Sequence, residues 1–95
     1  MEEHTDFVEY DRPGEKKVRI VFELYRYEIL FHYCEFRQGE KDEWKSMTKD
    51  ENGYFEYTIV EDSGKEISQR IKFPTQHEIM SAQEEIAKKY NIISF

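Results

Sequence analysis

Apolar and polar residues alternate along this chain in short runs broken by turn signals. The longest apolar run, Lys17 to Phe36, reads KVRIVFELYRYEILFHYCEF. From Val18 it alternates with period two. Val18, Ile20, Phe22 and Leu24 fall on one side and Arg19 and Glu23 on the other, the pattern of a strand with one buried face. From Tyr27 both faces turn apolar, with Ile29, Phe31 and Tyr33 on one and Leu30, His32, Cys34 and Phe36 on the other. That predicts a central strand covered on both sides. A single strand through the whole run would reach roughly 60 Å, too far for a small domain, so a tight turn is expected near Tyr25-Arg26. Helical spacing also fits Val18, Val21, Phe22, Tyr25, Ile29, Tyr33 and Phe36, but the β-branched and aromatic content favours strands.

Arg37 to Glu43 (RQGEKDE) reads as a loop hinged at Gly39, and Trp44 to Lys49 as a short strand. Asn52-Gly53 is the strongest turn signal, since both residues tolerate positive φ, and a hairpin centred there would set Lys49 opposite Glu56. Phe55, Tyr57 and Ile59 alternate with Tyr54, Glu56 and Thr58 in the next strand. Asp62-Ser63-Gly64 marks another turn, and Ile67, Ile71 and Phe73 a last long strand that Pro74 ends. Thr75 and Glu78 have the spacing of a capping box. Behind them Ile79, Ala82, Ile86 and Tyr90 form one apolar helical stripe. Lys88 and Lys89 suit the dipole of the last turn, and Asn91 is a natural terminator. Ile92, Ile93 and Phe95 are expected to dock back as a short strand.

Residues 1–16 carry six acids against Arg12 and Lys16. They read as an acidic N-terminal arm in which Phe7, Val8 and Tyr10 make a short edge strand before the Arg12-Pro13-Gly14 turn. The expected architecture is thus that arm followed by a single α+β domain over 17–95. The domain would be an antiparallel meander sheet of about five strands with the C-terminal helix packed on one face.

Ninety-five residues suit one domain with one modest core. Charged residues make up 37% of the chain, yet seven Phe, seven Tyr and one Trp supply the apolar surface that a disordered chain lacks. Charges interrupt every apolar run before it reaches the length of a membrane span, and the acidic N-terminus has no signal-peptide pattern. One cysteine makes no internal disulfide, so a cytoplasmic location is expected. A net charge of −7 opposes direct binding to nucleic-acid phosphates and favours a basic protein as partner. In a meander, the N-terminal arm, the 37–43 loop and the 61–66 turn would emerge at one end of the sheet. Together those segments hold twelve acids and five bases, which would gather the whole net charge there.

His32 and Cys34, two apart on a strand, are the one pairing that suggests a nucleophile with its base or two metal ligands. The other reading is a small core cysteine beside a hydrogen-bonded histidine. His4 and His77 stand at no ligand spacing, and the glycines are isolated turn residues with no phosphate-cradling loop. No cofactor or metal is expected. Within residues 30–59, the segment Leu30-Phe31-His32-Tyr33, then Trp44 and Met47, then Gly53-Tyr54-Phe55-Glu56-Tyr57-Thr58-Ile59 resembles starch-binding β-sandwich modules. The resemblance implies glucan stacked on aromatics, with His32 and Trp44 in contact with it. It departs from that family in lacking a later tryptophan and in carrying the capped C-terminal helix.

The reading that follows is a non-enzymatic, acidic protein-binding module, an inhibitor or adaptor that docks its charged end on a basic partner such as a nucleic-acid-binding protein. Anti-defence, immunity and nucleic-acid-mimic proteins are of this kind. Its expected contact residues are Glu9, Tyr10, Asp11, Glu40, Asp42, Glu43, Trp44, Glu61 and Asp62. An α-glucan-binding module is the alternative, and a Cys/His-dependent enzyme the second alternative.

Overall fold

The structure, a computed structural model, describes residues 4–92. Strands β1 (His4–Arg12), β2 (Lys16–Tyr25), β3 (Glu28–Arg37) and β4 (Lys45–Ser46) are followed by β5 (Tyr54–Val60), β6 (Glu66–Lys72) and the helix α1 (Gln76–Lys89). The first four strands form one antiparallel sheet in chain order, and β5 and β6 form a second sheet of two strands. The protein is a small α+β domain whose C-terminal helix packs on the main sheet. Among the described residues no helix is long and apolar enough to cross a membrane.

The long apolar run divides where a turn was expected. Tyr25 pairs with Glu28 across Arg26-Tyr27, and Arg26 takes a φ of 58° to close the turn. The face assignment in β3 needs correction. Val21 pairs with Tyr33 while Phe22 pairs with Phe31, so His32 is an extra residue in a β-bulge. The bulge shifts the alternation by one. Ile29 before it and Cys34 and Phe36 after it all face the core, at 7%, 0% and 1% exposure. Strict alternation would have put Ile29 on the opposite face from the other two.

Residues 4–12 also form more than a short edge segment, pairing with β2 along their full length. Val8 and Tyr10 pack on the core. The two inward charges find partners on or beside α1. Asp6 accepts hydrogen bonds from Lys89 Nζ and Tyr90 Oη, each at 2.7 Å, and Arg12 donates to Glu78 at 2.8 Å.

The meander stops at β4. Met47 is buried, and the chain then crosses the core face instead of adding a fifth strand. The Phe36 ring meets Phe55 at 5.9 Å and Tyr57 at 4.6 Å, seating the β5–β6 hairpin over the same face that α1 covers. Ala82, Ile86 and Ala87 are the buried side of α1, and Gln83 Nε2 donates to the Ile29 carbonyl at 2.6 Å. The capping box is complete, with the Thr75 side chain accepting from Glu78 N–H and the Glu78 carboxylate accepting from Thr75 N–H. Asn91 closes the helix at a φ of 56°. Asn52-Gly53 does turn the chain, and Asp50 Oδ1 accepts from the N–H groups of Asn52 and Tyr54. It joins no strand pair, because residues 47–50 form no strand. Lys49 consequently stands over the Phe73 ring, and Glu56 accepts from Ser68 at 2.6 Å, opposite Arg70, rather than pairing with Lys49. Ile92 packs on the core, while Ile93 and Phe95, expected to join it in a short strand, lie outside the described residues.

Candidate functional site at the loop end

Antiparallel order sends the β1–β2 turn and the β3–β4 loop to one end of the main sheet. There they face each other across an open cleft lined by Asp11, Glu15, Lys16 and Lys17 from one side and by Glu40 and Lys41 from the other. A second cleft runs from Asp42, Glu43 and Lys45 to Thr58, Ile59 and Val60. It brings the end of β5 alongside the loop. Glu61 and Asp62 follow immediately in the hairpin turn, which Gly64 closes at a φ of 87° with its N–H on the Glu61 carbonyl. Three segments distant in sequence thus meet at one end of the molecule.

Of the expected contact residues, Asp11, Glu40, Asp42, Glu43, Glu61 and Asp62 belong to this end and are exposed. Apart from a 3.9 Å contact between Asp11 and Lys17, they form no ion pair among the described residues. Glu9 lies further along β1, paired with Arg19 at 3.2 Å. Tyr10 turns inward toward α1. Burial, and after it the charges of Glu85 and Glu78, push its hydroxyl pKa up. Trp44 is half-buried on the outer face of the sheet. The guanidinium of Arg19 lies 3.8 Å and that of Arg37 4.7 Å from its ring centre, and Arg19 also covers Phe7 at 4.3 Å. The indole is therefore occupied by cations of its own chain. Sequence reasoning missed this stack, although the alternation of Arg19 and Arg37 with buried neighbours marks both as outer-face residues.

The gathering of all net charge at one end does not occur. β1 runs the length of the sheet, so Asp6 sits at the far end against α1 and Glu9 lies between. Glu2 and Glu3 lie outside the described residues. Residues 11–16, 37–43 and 61–66 retain eight acids against five bases. The end is acidic with lysines interleaved, not a uniform negative cap.

The Cys/His arrangement is not assembled. Cys34 is fully buried on the core face, and burial, with the charge of Glu78 as a smaller contribution, pushes its thiol pKa up to about 12. A thiol held there carries almost no thiolate at neutral pH. His32, the bulge residue, is exposed with its ring against Tyr33 at 4.7 Å. The two residues the glucan resemblance pairs, His32 and Trp44, are thus engaged by different neighbours. No group of three or more His, Cys, Asp or Glu among the described residues stands close enough to hold a metal ion.

Comparison of the chain with protein-family models, with curated proteins and with solved structures finds no match.

Proposed function

We propose that the protein is a non-enzymatic binding module, an inhibitor or adaptor that docks its loop end on a basic surface of another protein. The observation that carries this reading is the convergence of six exposed acids from separate segments (Asp11, Glu40, Asp42, Glu43, Glu61 and Asp62) at one end of the molecule. Carboxylates left in water attract a basic surface over about one Debye length, roughly 8 Å at physiological salt, and so speed encounter. Lys16, Lys17, Lys41 and Lys45 among them restrict the partner to surfaces carrying acceptors at matching places, which selects one docking register. Competition with nucleic acid for a nucleic-acid-binding protein is one use of such a surface.

The test is capture from host lysate on immobilised protein, with wild type set beside Glu40→Lys/Asp42→Lys/Glu43→Lys. A partner retained by the wild type, released by added salt and lost from the triple variant supports the reading. Equal capture by both proteins overturns it.

A further inference from the structure

Resting on that reading of the loop end, we infer that Trp44 is a positioning residue rather than a contact. Held on the guanidiniums of Arg19 and Arg37, its ring latches the neck of the acidic loop 38–43 and so fixes Glu40, Asp42 and Glu43 for docking.

The loop has little else to orient it. Arg37 is the last residue of β3 and Trp44 directly precedes β4, which is two residues long. With Phe36 opposite Lys45 in the ladder, Arg37 and Trp44 are the next facing pair and stand at the mouth of the loop. Beyond them Glu40, Lys41, Asp42 and Glu43 are all exposed. Inside the loop, among the described residues, one backbone hydrogen bond is made, from Asp42 N–H to the Gly39 carbonyl at 3.0 Å.

The latch itself is anchored in the sheet. Arg19 is set between Glu9 at 3.2 Å and Glu35 at 3.7 Å, so carboxylates of β1 and β3 fix the guanidinium on which the indole rests. Arg37 approaches the same ring at 4.7 Å, and its Nε is buried with no hydrogen-bond partner among the described residues. Attraction between a cation and a ring strengthens as the cation loses water, and indole is the best ring for it. Guanidinium stays charged at every physiological pH, so the latch is closed whatever the protonation of the loop.

A loop already ordered gives up less conformational freedom when it docks. Long-range steering depends on charge and is the same with the latch open or closed. The latch is therefore felt in dissociation and not in association.

The experiment compares the full-length wild type with Trp44→Leu, Trp44→Phe and Arg37→Gln. The first removes the ring and the second keeps a weaker one, both at the native charge of −7. Backbone-amide relaxation should give residues 39–43 order parameters of about 0.85 in the wild type and below about 0.6 in Trp44→Leu, with Trp44→Phe between them and the sheet unchanged. Arg37→Gln should red-shift the emission of this single tryptophan, raise its quenching by acrylamide and loosen the same residues. For docking, the probe is the protein that salt elutes from the wild-type column in the capture above. It should leave Trp44→Leu roughly tenfold faster while associating at the wild-type rate. It should also leave Arg37→Gln faster, although that variant is more acidic and charge alone would favour a basic partner. Unchanged order in residues 39–43, or loosening spread through the main sheet, overturns the latch. Unchanged or slower dissociation from Arg37→Gln, which frees the indole, makes Trp44 a direct contact and overturns its positioning role. A wild-type column that retains nothing salt can elute ends the loop-end reading and the docking half of the inference with it, while relaxation still decides the latch by itself.

Discussion

Where α1 crosses the main sheet, carboxylates are held by partners. Asp6 accepts from Lys89 and Tyr90, and Glu78 accepts from Arg12 and from the Thr75 backbone. At the loop end Glu40, Asp42, Glu43, Glu61 and Asp62 have no such partner among the described residues. The difference follows from solvation. A carboxylate drawn partly under a helix loses water and must recover that loss from hydrogen bonds. One on an exposed loop keeps its water and needs nothing from the fold. The pKa directions agree. Burial pulls both Asp6 and Glu78 up, yet their hydrogen bonds and basic neighbours outweigh it and leave each below its ordinary value. The seam acids are thus bound into the structure, and the loop acids are available for contacts outside it.

Removing what both regions rest on should have the largest effect. Phe36 joins the main sheet to the β5–β6 hairpin through Phe55 and Tyr57, and it is 1% exposed. Phe36→Ala should cost about 3–5 kcal/mol of stability, read by urea unfolding. A loss below about 1 kcal/mol would mean that the hairpin is not seated on the core and that the loop end is not held rigid.

Breaking the seam should cost less and depend on pH. Glu78→Ala removes one half of the capping box and the Arg12 pair, about 1–2 kcal/mol together. Glu78→Gln keeps a side-chain acceptor for the cap and should lose only part of that. Because the pKa of Glu78 is depressed in the folded protein, its contribution is complete above its ordinary value of 4.5 and is lost as pH falls through the lower folded value. Both variants should therefore show a flatter decline of stability on acidification below pH 4.5 than the wild type. Identical acid limbs in thermal melts would show that the Arg12–Glu78 pair does not stabilise the fold.

The seam was only half legible in the sequence, for a reason that Asp6 and Arg12 make plain. The capping box is local, three residues apart, and so is the turn in the 17–36 run, where sheer length forces a break. The partners of Arg12 and Asp6 lie 66, 83 and 84 residues away, and no local pattern announces them. Without those partners β1 reads as a charged arm, when it is a full strand carrying its charges beneath a helix. The bulge at His32 was hidden for a different reason. A strand apolar on both faces gives no polar residue against which a shift of one could be noticed. That the β1–β2 turn and the 37–43 loop share one end was legible from antiparallel order, but the place of the 61–66 turn was not, because its hairpin is a separate sheet seated on the core face rather than the next strand of the meander. The extent of the charge there was not legible either, because it depended on where β1 begins.

The smallest expected effect on stability makes the sharpest test of the comparison. If the loop acids serve no purpose in the fold, reversing Glu40, Asp42 and Glu43 to lysine should change unfolding free energy by no more than about 0.5 kcal/mol. The sign of any residual change is informative. The chain carries −7, and three reversals bring it to −1, which relieves self-repulsion and favours a slight gain. That gain should shrink as salt screens the remaining charges. A loss well beyond 0.5 kcal/mol in urea melts, persisting at high salt, would show that these carboxylates support the loop after all, for instance by engaging Lys41 or Lys45 in solution. Their exposure would then reflect the needs of the fold, and the distinction between seam and loop end would fail.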